Sequence, residues 1–119
     1  MENLNTVQKE DRLNYIVPED EISCGGAYHQ YRIVREADDT TVQVIRFQKG
    51  PRNQTGSVPG VTESDLLEIV RNRLENFQNG DHPCRENEAA LEYVEEALMW
   101  LNRRTEERRC RGVLGSSED

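Results

Sequence analysis

The sequence predicts an α+β fold: an N-terminal antiparallel β-sheet followed by a C-terminal antiparallel two-helix hairpin. Three observations predict it. Up to about residue 60, short runs of β-branched and aromatic residues are separated by acidic, Gly- and Pro-containing breaks. From Thr62 the apolar residues switch to helical spacing. At roughly 100–200 residues per domain, the 119-residue length fits one domain. The expected parts are a β-rich stretch over 1–60, the helical hairpin over 61–112 and a polar tail over 113–119.

Residues 1–12 are polar and are expected to fray. Leu13–Val17 reads as a short strand, and 18–26 (PEDEISCGG) as a loop. Tyr28–Val34 and Thr40–Phe47 are two further strands, joined by an acidic turn over Glu36–Asp39 into a β-hairpin. Residues 48–60 (QKGPRNQTGSVPG) form a loop or an irregular edge strand. Thr62 precedes Asp65 by three positions, a capping-box start. Leu67, Val70, Leu74 and Phe77 then make one helical stripe, and residues 79–83 (NGDHP) stop it. A second helix is expected from about Glu86 to Arg111, ending at Gly112. Its stripe is Ala90, Val94, Ala97 and Leu101, with Leu91 and Leu98 beside it.

Composition excludes several classes. No run approaches the roughly 20 apolar residues that span a bilayer, and no signal-peptide pattern opens the chain. The net charge of −8 argues against a binder of polymeric nucleic acid, which needs a broad basic surface. It leaves room for a small anion held by a local basic cluster. Of the 15 basic residues only Lys9 and Lys49 are lysines, and Arg forks onto phosphate better than Lys. Three cysteines without CxxC spacing and two distant histidines, His29 and His82, predict neither a disulfide framework nor a metal site. Reduced thiols in a cytosolic protein are the expectation. With 34% hydrophobic residues the chain buries a thin core alone, so an oligomer that shares core is expected.

The informative feature lies where the second helix's stripe continues. After Leu101 the same steps reach Arg104 and Arg108, one turn apart, among five Arg between 103 and 111. The cluster sits at a helix C-terminus, where the macrodipole favours cations. Capping and solubility account for such arginines, and Glu106 and Glu107 are positioned to neutralise them. A packing seam is nevertheless an unusual place for two charges unless an anion pairs them. At the other end of the hairpin, Phe77 and Asn87 offer a ring to stack on a nucleobase and an amide to read its edge. Core packing and helix initiation are the plainer roles for those two.

Asn87 and Arg104 are 17 residues apart, roughly 25 Å of helix. One chain cannot wrap both around a small ligand, whereas two antiparallel hairpins can. The expectation is a twofold dimer with two identical pockets between subunits. Catalytic motifs are missing: there is no GxSxG, Walker loop, HExxH or GxGxxG, and no cysteine has a histidine partner at dyad spacing. No cofactor and no enzymatic activity are expected.

Residues 84–115 (CRENEAALEYVEEALMWLNRRTEERRCRGVLG) closely resemble the C-terminal hairpin shared by two phage families, the Thoeris anti-defence one family and the anti-CBASS two family. Residues 40–80 resemble the longer, sheet-bearing first family. The resemblance implies a phage-encoded sponge. It would bind the glycocyclic ADP-ribose signals of Thoeris defence, hold them uncleaved, and act in the cytoplasm of the infected bacterium. In the family the signal-binding aromatic and amide match Phe77 and Asn87, and the two clamping arginines match Arg104 and Arg108. Tyr15 is the candidate for the family's N-terminal covering aromatic, because the single Trp, Trp100, falls inside the second helix. Arg52 and Gln54 are candidates for a separate site that takes the cyclic di- or trinucleotides of CBASS. The implied assembly is a homodimer, or a hexamer built as a trimer of dimers. Two other classes stay open: an enzyme that degrades the messenger, and a phage protein that binds a host protein through its acidic surface.

Overall fold

A computed structural model describes residues 2–112, 114 and 115; the expected tail over 113–119 falls largely outside the described residues. The chain divides into two compact units between Val61 and Thr62.

The first unit is a three-stranded antiparallel sheet in the order β1-β2-β3. Its strands are β1 (Asn14–Pro18), β2 (Gln30–Arg35) and β3 (Thr41–Arg46). Each boundary lies within two residues of the expected one. Val34 is fully buried and Val17 nearly so. The rings of Tyr28, Tyr31 and Phe47 pack edge to face at 6.3 and 5.8 Å, extending this small core. The acidic turn works as its residues suggest. The Asp38 carboxylate accepts from both the Thr40 N–H and the Thr40 hydroxyl, and Asp39 adopts φ +57°. A bulge between Ile33 and Val34 takes up the odd residue of the hairpin.

Two details depart from expectation. The Leu4 N–H donates to the Ile16 carbonyl, so the N-terminal segment is tied to β1 rather than wholly frayed. The 18–26 loop contains a 3-10 turn at Cys24–Gly26. The 48–60 loop folds back through single bridges, Lys49 to Val58 and Phe47 to Val61. That return needs Gly60, where a Cβ would lie 2.5–2.7 Å from the Arg46 and Phe47 main chain.

The second unit is a helical hairpin of α1 (Glu63–Gln78) and α2 (Arg85–Cys110). Thr62 and Asp65 form the reciprocal capping box, with bonds of 2.9 and 3.2 Å. Gly112, at φ +74°, follows the end of α2. Across the hairpin, Arg71 Nε donates to Glu95 at 2.8 Å, with Glu68 and Glu75 within 4 Å of the same guanidinium.

The inward faces differ from the expected stripes. On α1, Leu67 and Leu74 are half-buried, but Val70 and Phe77 are 42% and 47% exposed. On α2 the seam is Asn87, Leu91, Val94, Leu98 and Leu101, while Ala90 and Ala97 lie exposed. Leu covers more apolar area than Ala, so the Leu row wins the contact between helices. Among the described residues neither helix fully buries a hydrophobic side chain. Ile69, Val70, Phe77, Tyr93, Met99 and Trp100 are all exposed. A pair of helices has too few neighbours to cover both apolar rows.

Candidate functional site

The 79–84 turn brings Phe77 and Asn87 to one end of the hairpin. The Gln78 side-chain oxygen accepts the Cys84 N–H at 3.0 Å, and Cys84 Sγ accepts the Asn87 N–H at 3.4 Å. Cys84 is therefore the N-cap of α2, which leaves the Asn87 carboxamide outside the capping network. Asn87 is half-buried, and among the described residues its amide side chain makes no hydrogen bond. The Arg73 guanidinium lies 5.2 Å from the Phe77 ring centroid. That is cation–π range, and the ring remains 47% exposed. Phe77 and Asn87 flank the turn between the two helices.

At the far end of α2 the arginines divide into kinds. Glu106 takes Arg109, and Glu107 takes Arg111 at 3.1 Å. Arg103 stacks on Trp100 at 5.3 Å. Arg104 is exposed and makes no ion pair among the described residues. Arg108 is only 8% exposed. The two arginines expected to share a seam thus part company, Arg108 buried and Arg104 exposed. Neutralisation by Glu106 and Glu107 falls on Arg109 and Arg111 instead of on Arg104.

Phe77 and Asn87 are not brought to Arg104 and Arg108 within one chain, since α2 is continuous helix between them. Tyr15 is half-buried, and its hydroxyl donates to Asp39 at 2.8 Å, which ties the ring to the β2–β3 turn. That bond, with the Asp39 charge, pushes the phenol's pKa up. The 48–60 loop borders a half-open pocket of about 270 Å³ lined by Cys24, Lys49, Gln54 and Ser57 among others. Arg52 is exposed on the same loop and is not part of the lining. The Gln78–Cys84 clamp has no counterpart in the sequence reading. Its signal was a cysteine three residues before Asn87, a position where Ser, Thr, Asp or Asn is the usual cap. Among the described residues no group of His, Cys, Asp and Glu is arranged to hold a metal ion, and no helix is long and apolar enough to cross a membrane.

A family model described as "Acb2/Tad1, hairpin domain" matches residues 39–106. The chain belongs to the Acb2/Tad1 hairpin-domain family. The matched segment begins in the β2–β3 turn and includes Arg52, Gln54, Phe77, Asn87 and Arg104. Tyr15 precedes it and Arg108 lies just beyond. A curated relative, "Thoeris anti-defense 1" of Bacillus phage SBSphiJ7, is 50% identical over 74 residues, or 62% of this chain. The match spans about half of that relative's length, 51%.

Proposed function

We propose that this chain is a phage anti-defence protein that captures a cyclic nucleotide immune signal of the glycocyclic ADP-ribose type and holds it without cleaving it. One observation carries the reading. The Asn87 carboxamide and the Arg104 guanidinium stand at opposite ends of α2, and neither has a hydrogen-bonding or ion-pair partner among the described residues. Family membership supports the anti-defence role. Two hairpins packed head to tail bring the Phe77 and Asn87 of one subunit to the Arg104 and Arg108 of the other. Phe77 stacks on the adenine, Asn87 hydrogen-bonds to base or ribose, and the arginines clamp the pyrophosphate by charge-assisted bonds.

The protein acts by mass action in the cytoplasm of the infected host. When the sponge binds the messenger more tightly than the effector does, free messenger stays below threshold. Neither half of the site offers a paired nucleophile and base, which favours sequestration over hydrolysis.

The test is isothermal titration of glycocyclic ADP-ribose into the wild type and into the Arg104→Ala/Arg108→Ala variant. Loss of binding with the fold retained is expected; unchanged affinity refutes the site. Intact signal should be recovered on heating the complex, and a hydrolysed product would replace the sponge with an enzyme.

The loop cavity favours a second ligand. With Gln54 and Lys49 in its wall and Arg52 beside it, it is assigned to cyclic di- or trinucleotides, which should bind without displacing the first signal. Competition between the two would remove the second site.

A further inference from the structure

Arg73 is an arginine that its helix leaves without an acid. Its neighbours three and four positions away on α1 are Ile69, Val70, Asn76 and Phe77, none of them a carboxylate. Two positions earlier the opposite holds. Arg71 donates to Glu95 at 2.8 Å, with Glu68 and Glu75 within 4 Å. In a chain with 23 acidic residues against 15 basic ones, a position so consistently free of acids stands out. Asn76 is itself committed, its amide donating to Asn72 at 3.3 Å. Arg73 makes no ion pair among the described residues. Its guanidinium lies instead over the Phe77 ring, 5.2 Å from the centroid.

Phe77 needs such a neighbour. The ring is 47% exposed, too open for packing alone to fix it. An exposed Phe on a helix samples two χ1 wells, and contact with a group four residues back weights one of them. A ring already in place stacks more tightly on a ligand, because the ordering cost is met before the ligand arrives. A guanidinium is flat and weakly hydrated, which suits it to lie on a ring; the compact, strongly hydrated ammonium of lysine is not its equal there. The contact also sets a direction, since a base has to approach the ring surface that Arg73 leaves uncovered.

We propose that Arg73 is a positioning residue for the signal: it holds the Phe77 ring in the orientation that receives the base, and touches no phosphate itself. The role rests on the proposed function, in which Phe77 takes the adenine.

The test is calorimetric titration of glycocyclic ADP-ribose into the full chain carrying Arg73→Ala, Arg73→Lys or Arg73→Gln. Arg73→Ala should weaken binding roughly two- to fivefold, the worth of an exposed cation–π contact expressed as an equilibrium ratio. The loss should be the same at low and high salt, since screening acts on separated charges and not on a ring in contact. Arg73→Gln keeps a flat group without the charge and should recover part of the affinity. Arg73→Lys keeps the charge without the flat group and should bind like Arg73→Ala. Arg85→Gln is the charge control. Arg85 opens α2, is exposed and makes no ion pair among the described residues, so its loss should change affinity by less than about twofold. Without ligand, the β-proton couplings of Phe77 should report one χ1 rotamer in the wild type and an average in Arg73→Ala.

A rotamer already averaged in the wild type, or unchanged in Arg73→Ala, overturns the role whatever the ligand does. If Arg73→Lys binds like the wild type and Arg73→Gln does not, Arg73 is a charge contact to the phosphates and the positioning role is overturned. An Arg85→Gln loss as large as that of Arg73→Ala has the same effect. Variants that all bind like the wild type sink the role of Arg73 and leave the proposed function standing. A wild type that binds no glycocyclic ADP-ribose sinks the proposed function, and this role with it, even where the couplings show a fixed ring.

Discussion

Replacing Arg104 with alanine separates ligand capture from folding. The side chain is exposed and makes no ion pair among the described residues, so its loss should change folding stability by less than about 0.5 kcal/mol. In the proposed complex the same guanidinium would donate to phosphate. A hydrogen bond to a charged group is worth about 1.5–3 kcal/mol, which converts to an affinity loss of roughly 10- to 150-fold. Arg109→Ala is the control. Arg109 is exposed and already paired with Glu106, and its removal should alter affinity by less than about twofold, within the scatter of a surface substitution. Arg108→Ala should behave differently from both. Arg108 is 8% exposed, so truncation should lower the thermal midpoint as well as the affinity. Calorimetric titration gives the affinity and thermal unfolding the stability. An Arg104→Ala protein that binds within twofold of the wild type, or one that loses binding only because it unfolds, refutes the reasoning.

Gly60→Ala should destabilise the sheet unit by about 1–3 kcal/mol, because the new methyl meets main-chain atoms that have no rotamer in which to retreat; an unmoved denaturant midpoint would count against the close approach. Thr62→Ala should cost about 0.5–2 kcal/mol through loss of the capping box, seen as reduced helicity on warming, and Thr62→Ser should recover most of it. The Asp38 carboxyl is held below the usual carboxylate range, chiefly by the Thr40 hydroxyl. Because the folded value is depressed, the stabilisation is present above the unfolded pKa and disappears as pH falls through the folded one. Carbon NMR titration should place Asp38 low in the wild type and nearer the ordinary range in Thr40→Val; coincident titrations would contradict the bond. Cys84→Ser should keep ligand affinity by preserving the cap on Asn87, whereas Cys84→Ala should weaken it; equal affinities would show that the cap does not position Asn87.

Local chemistry sufficed for much of this molecule. The acidic turn, the Thr62–Asp65 box, the 79–83 break and the glycine after α2 are written in residues that act on their immediate neighbours, and the chain follows them. The candidate ligand residues were nominated by residue type and by the resemblance, with core packing and capping as their plainer roles. Periodicity could not settle which helical face turns inward. On α2 the row Leu91, Val94, Leu98 and Leu101 and the row Ala90, Tyr93, Ala97 and Trp100 both repeat at helical spacing, and burial is a property of two surfaces rather than one. Contact with α1 selected the Leu row. That choice left Val70, Phe77, Ala90 and Ala97 outside. The sulfur cap at Cys84 needed the fold as well, because only the closed turn sets Gln78 against the Cys84 amide.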